Sequence, residues 1–292
     1  MAVISFPRSG SGNLAARLGT TQSAHSEALM RLSSGNRMLT PSDDVAGTGT
    51  SAKLTSQQAR LEAAGVNIQN GISRLESTSG YLTAISSILT RMSELSAYAK
   101  NGTQEQSDAS LYTQEFQQLQ EQLRSMIGGT AAEIGGAGVD NPMGTFGGAD
   151  LFGPDGGGLV AIGAYDDEVV LFPTINLRSG ATKGLIEQDA SGNFIMSLSD
   201  DTAISDLNAA IDQIGMAFSE VGAVQSRLEL AAGKLTANRE LLETKQSRIE
   251  DADVAEQMTT LVRLGFLSQS QVTMLTQAIE TPRKLVVLLA DS

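Results

Sequence analysis

Residues 54–89 read LTSQQAR LEAAGVN IQNGISR LESTSGY LTAISSI L, and written in sevens the stretch stacks Leu54, Leu61, Ile68, Leu75, Leu82 and Leu89 in one column. An α-helix completes a turn in 3.6 residues, so a strict repeat of seven returns each of these side chains to nearly the same face. An apolar face of that kind needs a second helix against it. Towards the other end of the chain, Leu207, Ile214, Val221, Leu228, Leu235, Leu242 and Ile249 keep the same step. Each ladder is the obvious partner of the other, which predicts a mainly α fold: a long antiparallel coiled-coil rod with the two ladders as its seam.

The seam positions three residues further on hold Ala64, Gly71, Thr78, Ile85, Met92 and Ala99 in the first ladder, and Ala210, Ala217, Val224, Ala231 and Ala252 in the second. Most are small, which allows close helix approach. No proline lies between Pro41 and Pro142, or between Pro173 and Pro282, so neither ladder meets the residue that most strongly breaks a helix. A continuous helix from Pro41 to about Asn101 would run roughly 90 Å at 1.5 Å per residue, a rod rather than a globule.

Thr40, Pro41 and Asp43 look like a helix start, with Thr40 as cap, Pro41 in the first position and an acid in the first turn. Asn101 and Gly102 end that helix, and Tyr112, Phe116, Leu119, Leu123 and Met126 mark a shorter third one. Residues 128–200 are Gly-rich, with Val169 to Leu177 and Asn193 to Leu198 reading as short strands of a loop and β-hairpin region. Asp200, Asp201 and Thr202 cap the second long helix.

Both ends carry sparser stripes: Leu14, Leu18, His25, Leu29 and Leu32 at the N-terminus, and Met258, Leu261, Leu264, Val272, Leu275 and Ile279 at the C-terminus. Alone, such helices are marginal. The expected division is therefore a terminal coiled-coil unit of residues 1–42 with 254–292, ordered only when other chains supply apolar surface, and a rod of residues 43–253.

Composition narrows the function. Twelve aromatic residues (eight Phe, four Tyr) and no Trp in 292 residues are a poor supply for a large round core. With no Cys and only His25, disulfides, thiolate sites and most metal and acid–base constellations are excluded. A formal charge of -13 argues against nucleic acid or an anionic membrane as the main partner. Met1 to Ser11 has no apolar stretch of signal-peptide length, and Leu285 to Ala290 is far too short to span a bilayer.

Several local patterns have plainer readings than their sharp ones. Gly10 to Ala15 matches a dinucleotide fingerprint, but no βαβ unit surrounds it, and Gly135 to Asp140 is a single copy of a pattern that needs stacked repeats to hold calcium. Asp43 and Asp44 suit a helix's first turn better than a catalytic pair. His25 lacks the companions of a metal ligand. No cofactor and no catalytic set is predicted.

Arg31 to Gly35 (RLSSG), Pro41 to Gly47 (PSDDVAG), Asn67 to Ser73 (NIQNGIS) and Arg91 to Thr103 (RMSELSAYAKNGT) closely resemble the N-terminal region of bacterial flagellins. Val221 to Glu229 (VGAVQSRLE), Ser247 to Ala255 (SRIEDADVA) and Pro282 to Leu289 resemble the C-terminal region, and Phe146 to Gly148 with Val160 to Val170 is similar to the hairpin region. The resemblance implies a short flagellin without large outer domains. It would be a secreted, extracellular subunit that polymerises with itself into the flagellar filament and leaves the cell through the flagellar type III export apparatus. A flagellin chaperone and the cap and hook-associated proteins are the further partners implied. The terminal stripes, together with Leu285, Leu288 and Leu289, would supply the filament-core contacts.

Arg91, Leu95 and Glu115 match a surface that some Toll-like receptors recognise, while Ser93 and Tyr98 stand where Arg and Gln are common in recognised members. The hook–filament junction protein shares the terminal architecture and is the alternative within this class. A cytoplasmic coiled-coil adaptor is the alternative outside it, and predicts a discrete oligomer.

Overall fold

The computed structural model describes the backbone of residues 9–100 and 106–290, and the side chains of 12–100 and 109–280. Among the described residues seven helices and four short strands follow in order: α1 (Ser9–Ser34), α2 (Val45–Ala99), α3 (Gln106–Ile127), α4 (Ala131–Ile134), β1 (Thr145–Phe146), β2 (Ala149–Asp150), β3 (Gly158–Ala161), β4 (Val169–Phe172), α5 (Ala181–Ile186), α6 (Ala203–Glu250) and α7 (Val254–Ala290). The fold is mainly α with a small antiparallel β region. Contacts divide the chain into a terminal unit of residues 1–56 and 240–292, and a second unit of residues 57–239. The division thus falls inside the two longest helices, further from the chain ends than the change in residue type at 42 and 254.

In the second unit, α2 and α6 run antiparallel. A Cβ on Gly65 would lie 3.7 Å from the Leu235 side chain, one on Gly71 would lie 3.2 Å from that of Leu228, and Lys100 Nζ donates to the Asp201 carbonyl at 2.9 Å. Leu61, Ile68, Leu75, Leu82 and Leu89 are buried here, as are Leu207, Ile214, Val221, Leu228 and Leu235. The positions between them, Ala64, Thr78, Ile85 and Met92 on one side and Ala210, Ala217, Val224 and Ala231 on the other, are buried with them. Gly71 shows why small residues alternate with Leu along this seam: the Phe172 ring stands 3.0 Å from where its Cβ would be.

Towards its C-terminal end, α2 is covered on a second face by α3. Arg91 pairs with Glu115, and Tyr98 stacks on Tyr112 with ring centroids 6.0 Å apart. Ile88 and Leu95 of α2 and Phe116 and Leu123 of α3 are buried.

The Gly-rich stretch forms two hairpins, β1–β2 and β3–β4, the latter in register Leu159 with Leu171 and Ala161 with Val169. Val170 and Phe172 point inward, and Arg74 of α2 lies over the Phe172 ring at 5.5 Å while donating to the Gly156 carbonyl at 2.6 Å. The expected strand at Asn193 to Leu198 does not form; only an isolated bridge between Gln188 and Phe194 appears. There the chain turns instead around Asp189, whose carboxylate accepts from the amides of Ser191 and Asn193.

Buried polar side chains tie this region down. Arg124, 2% exposed, donates to the carbonyls of Ile134 and Ile186 through Nη1, and of Gly135 and Ala137 through Nη2. Gly135 sits at φ 67°, and a Cβ there would lie 2.1 Å from the Gln188 carbonyl, so no other residue fits. Gln213 of α6 accepts from the Thr182 amide and hydroxyl and donates to Asn176 and Ser179.

Helix α2 starts later than the sequence suggests. Pro41 to Asp44 form a turn in which Asp43 accepts from the Leu39 and Thr40 amides, and Asp44 accepts from the Gly47 amide at 2.8 Å, capping a helix that begins at Val45. The helix end expected at Asn101 and Gly102 lies outside the described residues.

Candidate assembly surface

In the terminal unit α1 and α7 pack against each other. Ser268 Oγ donates to Gln22 Oε1, and a Cβ on Gly265 would lie 3.9 Å from His25 Nε2, so the pair is antiparallel. The residues half-buried along this contact keep a four-three spacing: Leu14, Leu18, Thr21, His25 and Leu32 with buried Ala28 in α1, and Gln257, Leu261, Leu264, Ser268, Gln271 and Leu275 in α7. Half of the α7 seam is polar, and Gln271 Oε1 is buried with no partner. Such a seam holds two helices weakly.

The apolar residues that would strengthen it face outward instead. Val254, Met258, Val262, Phe266 and Met274 are exposed, and with Ser270 they form a single row stepping by four along α7. Phe266, 75% exposed, stands at the middle of that row. Leu267, Val272 and Ile279 add to the exposed apolar area, and Leu29 and Met30 do the same on α1. A row of this kind is the ridge by which one helix packs into the groove of another. A monomer gains nothing from showing it to water.

The filament-core residues expected from the sequence therefore fall into two sets. Leu14, Leu18, Leu32, Leu261, Leu264 and Leu275 belong to the α1–α7 seam, whereas Leu29, Met258, Val272 and Ile279 face outward. Val254, Val262, Phe266, Leu267 and Met274 are exposed apolar residues that the terminal stripes did not include, although a step of four in both directions from Met258 finds four of them. Leu285, Leu288 and Leu289 lie on the backbone of α7, and their side chains are outside the described residues.

Between α1 and α2, and again between α6 and α7, the chain passes through a polar junction. Arg37 donates its amide to the Glu250 carbonyl at 2.6 Å and its guanidinium to the Ile249 carbonyl and to Asp44. Asn36 bridges Asp251, and the Ser51 hydroxyl bonds Glu250. Ile249, like Leu242, is partly exposed and lies outside the buried seam, while Leu54 is nearly covered. The Thr40 and Leu39 amides hold the Asp43 carboxyl below its ordinary value, and the Gly47 amide does the same for Asp44.

Two family profiles match this arrangement of paired helices at the two ends of the chain. The bacterial flagellin N-terminal helical region matches residues 10–132, and the bacterial flagellin C-terminal helical region matches residues 204–289. The chain belongs to the bacterial flagellin family. Full-length similarity agrees: it is 32% identical to a flagellin of Halalkalibacterium halodurans, over 93% of this chain and 94% of the relative. A Bacillus subtilis flagellin is 30% identical, with 94% and 95% covered. The flagellar filament 30.7 kDa core protein of Treponema maltophilum is 29% identical, with 89% and 90% covered.

In this flagellin the three residues matched to a receptor surface do not share one. Arg91 Nε donates to Glu115 at 2.7 Å and its Nη1 donates to Glu94 at 3.0 Å, an exposed cluster in which Glu115 first and Glu94 second raise the Arg91 pKa. Leu95 is 0% exposed. Ile88, one heptad before it, is buried as well. Among the described residues no cluster of three metal-ligating side chains forms, and no helix is long and apolar enough to cross a membrane.

Proposed function

We propose that this flagellin acts as the structural subunit of an extracellular flagellar filament, polymerising with copies of itself through the outward faces of α1 and α7, with the second unit as the rigid element that those copies carry. The observation that supports this most is the apolar row from Val254 to Met274, laid open to water on a helix whose partner-facing seam is half polar. A free monomer with this distribution has weakly held ends and an adhesive surface, so order at the termini and assembly rise together.

Export in an unfolded state through the flagellar type III channel, escorted by a flagellin chaperone and completed beneath a cap on hook-associated proteins, is part of the same reading. A chain with no Cys and weakly paired ends suits such a route. A Toll-like receptor that met this surface would find Arg91 and Glu115, which are bonded to one another.

The test is assembly of purified protein, seeded or salt-induced, followed by sedimentation and negative-stain electron microscopy. Uniform filaments from the full chain are expected, with helicity rising as they grow. Removal of residues 254–292, or the single change Phe266→Glu, should abolish them while leaving most of the monomer's helicity. Filaments from either variant would overturn the proposal. A discrete oligomer that no seed extends would point to the junction protein or the adaptor.

A further inference from the structure

The chain has ten Met and neither Cys nor Trp, so the thioether is its most readily oxidised side chain. The methionines differ in exposure. Met92 and Met196 are buried in the second unit, whereas Met30, Met258 and Met274 are about half exposed on the outward faces of α1 and α7. Met258 lies between Val254 and Val262 in the α7 row, and Met274 closes that row. Met143 and Met216 are as exposed, but belong to the second unit. Oxidant reaching the free subunit therefore meets sulfur within the apolar surface that assembly would cover.

We infer that Met30, Met258 and Met274 are modification sites through which a peroxide switches off polymerisation of the free subunit, an inference that rests on the assembly reading above. The chemistry is a two-electron transfer. A sulfur lone pair attacks one oxygen of hydrogen peroxide, the O–O bond breaks as the S–O bond forms, and the departing hydroxide takes the proton of the sulfur-bound hydroxyl, leaving methionine sulfoxide and water. The product is polar and stiffer than the thioether, and its oxygen is a strong acceptor. Placed in an apolar row that must pack against another helix, that oxygen loses water without gaining a donor. Free Met258 and Met274 adapt to a neighbour's surface; their sulfoxides resist burial. Once copies have covered the row the same sulfurs are shielded, so sensitivity belongs to the subunit before it is incorporated.

Purified monomer is treated with hydrogen peroxide, quenched, mapped by peptide mass spectrometry and then seeded. Oxidation at the three sites is expected to reduce sedimentable filament at least tenfold, and methionine sulfoxide reductases should restore it. The variant M30L/M258L/M274L keeps apolar side chains of similar volume. It should polymerise after the same treatment, even with Met143 and Met216 oxidised. Filaments exposed to peroxide after growth should show far less oxidation at the three sites than monomer does.

Polymerisation of fully oxidised wild type at the untreated rate would overturn the inference, as would equal loss in the leucine variant. Where that variant fails to assemble even untreated, the reductase arm decides: recovery without removal of oxygen at the three sites overturns the inference, and recovery with it sustains it. Failure of the assembly reading looks different, since it appears as absence of filaments from untreated wild type or as filaments from Phe266→Glu.

Discussion

Helices α2 and α6 in the second unit, and α1 and α7 in the terminal unit, are both antiparallel pairs with a four-three seam, yet they place their apolar side chains oppositely. In the α2–α6 pair, Leu75, Leu82, Leu89, Leu207 and Leu228 are almost wholly buried. In the α1–α7 pair the seam holds Thr21, His25, Gln257, Ser268 and Gln271, and Phe266 with its neighbours faces water. The contrast teaches that a heptad spacing by itself identifies only a helix pair. Whether the pair is finished is decided by which residue types fill the seam and which remain outside it.

The sharpest way to break that comparison is to truncate one side chain in each pair. Leu82→Ala, at a fully buried position, should cost about 3–5 kcal/mol of unfolding free energy, read as a lower urea midpoint by circular dichroism. Phe266→Ala should leave the monomer's midpoint almost unchanged and act only on assembly, because its ring already faces water. Equal destabilisation by the two would remove the distinction.

Arg124→Met should follow in size, at about 2–4 kcal/mol, because it leaves four carbonyls without their donor while keeping much of the side-chain bulk. Gln271→Leu sharpens the comparison from the other side. It replaces a seam amide whose oxygen is buried without a partner, and should strengthen the α1–α7 pair by about 1 kcal/mol, measured as slower amide exchange in both helices. A loss of exchange protection in α1 and α7 would mean that the amide holds the seam.

The acid response should appear in both units. The carboxyls of Asp43 and Asp44 in one, and of Glu133 and Asp189 in the other, are held below their ordinary values chiefly by the backbone amides of Thr40, Gly47, Thr130 and Asn193 respectively. A depressed folded pKa means that the unfolded chain takes up protons first as the pH falls. The contribution of these groups is therefore complete above about pH 5 and is lost as the pH drops from about 4 through the lower folded values. A urea midpoint flat from pH 5 to 8 and falling below 4 is expected, with a shallower fall in Asp44→Asn. The smallest effect belongs to Glu115→Gln: the Arg91 pair is exposed, and pairs of that kind contribute little, so the midpoint should stay within experimental error.

The buried ladders were legible because a period of seven survives any choice of surface residues. Leu61 to Leu89 and Leu207 to Leu235 could be read without knowing the partner. Leu242 and Ile249 fit the same period and are half-exposed, since period reports a face and not what covers it. At the termini, Met258, Val272 and Ile279 were counted with Leu261, Leu264 and Leu275 for the same reason. The row through Phe266 was legible in principle, as a step of four rather than a heptad. The roles of Arg124 and Gln213 were not legible, because each acts on backbone groups that only the folded chain brings near. Leu95 illustrates the limit of matching residue types: the match is kept, but the side chain is buried.

The four carbonyls that converge on Arg124 come from two places in the sequence, residues 134–137 and Ile186, and meet a side chain from α3. None of these segments gains its full set of bonds until the others have arrived, and a buried guanidinium only partly surrounded is worse off than one in water. The Gly-rich region should therefore order as one cooperative event despite its loop-like composition. Amides on either side of this meeting point, such as Gln188 N–H on the Ile134 carbonyl, should exchange at a common rate set by a single opening.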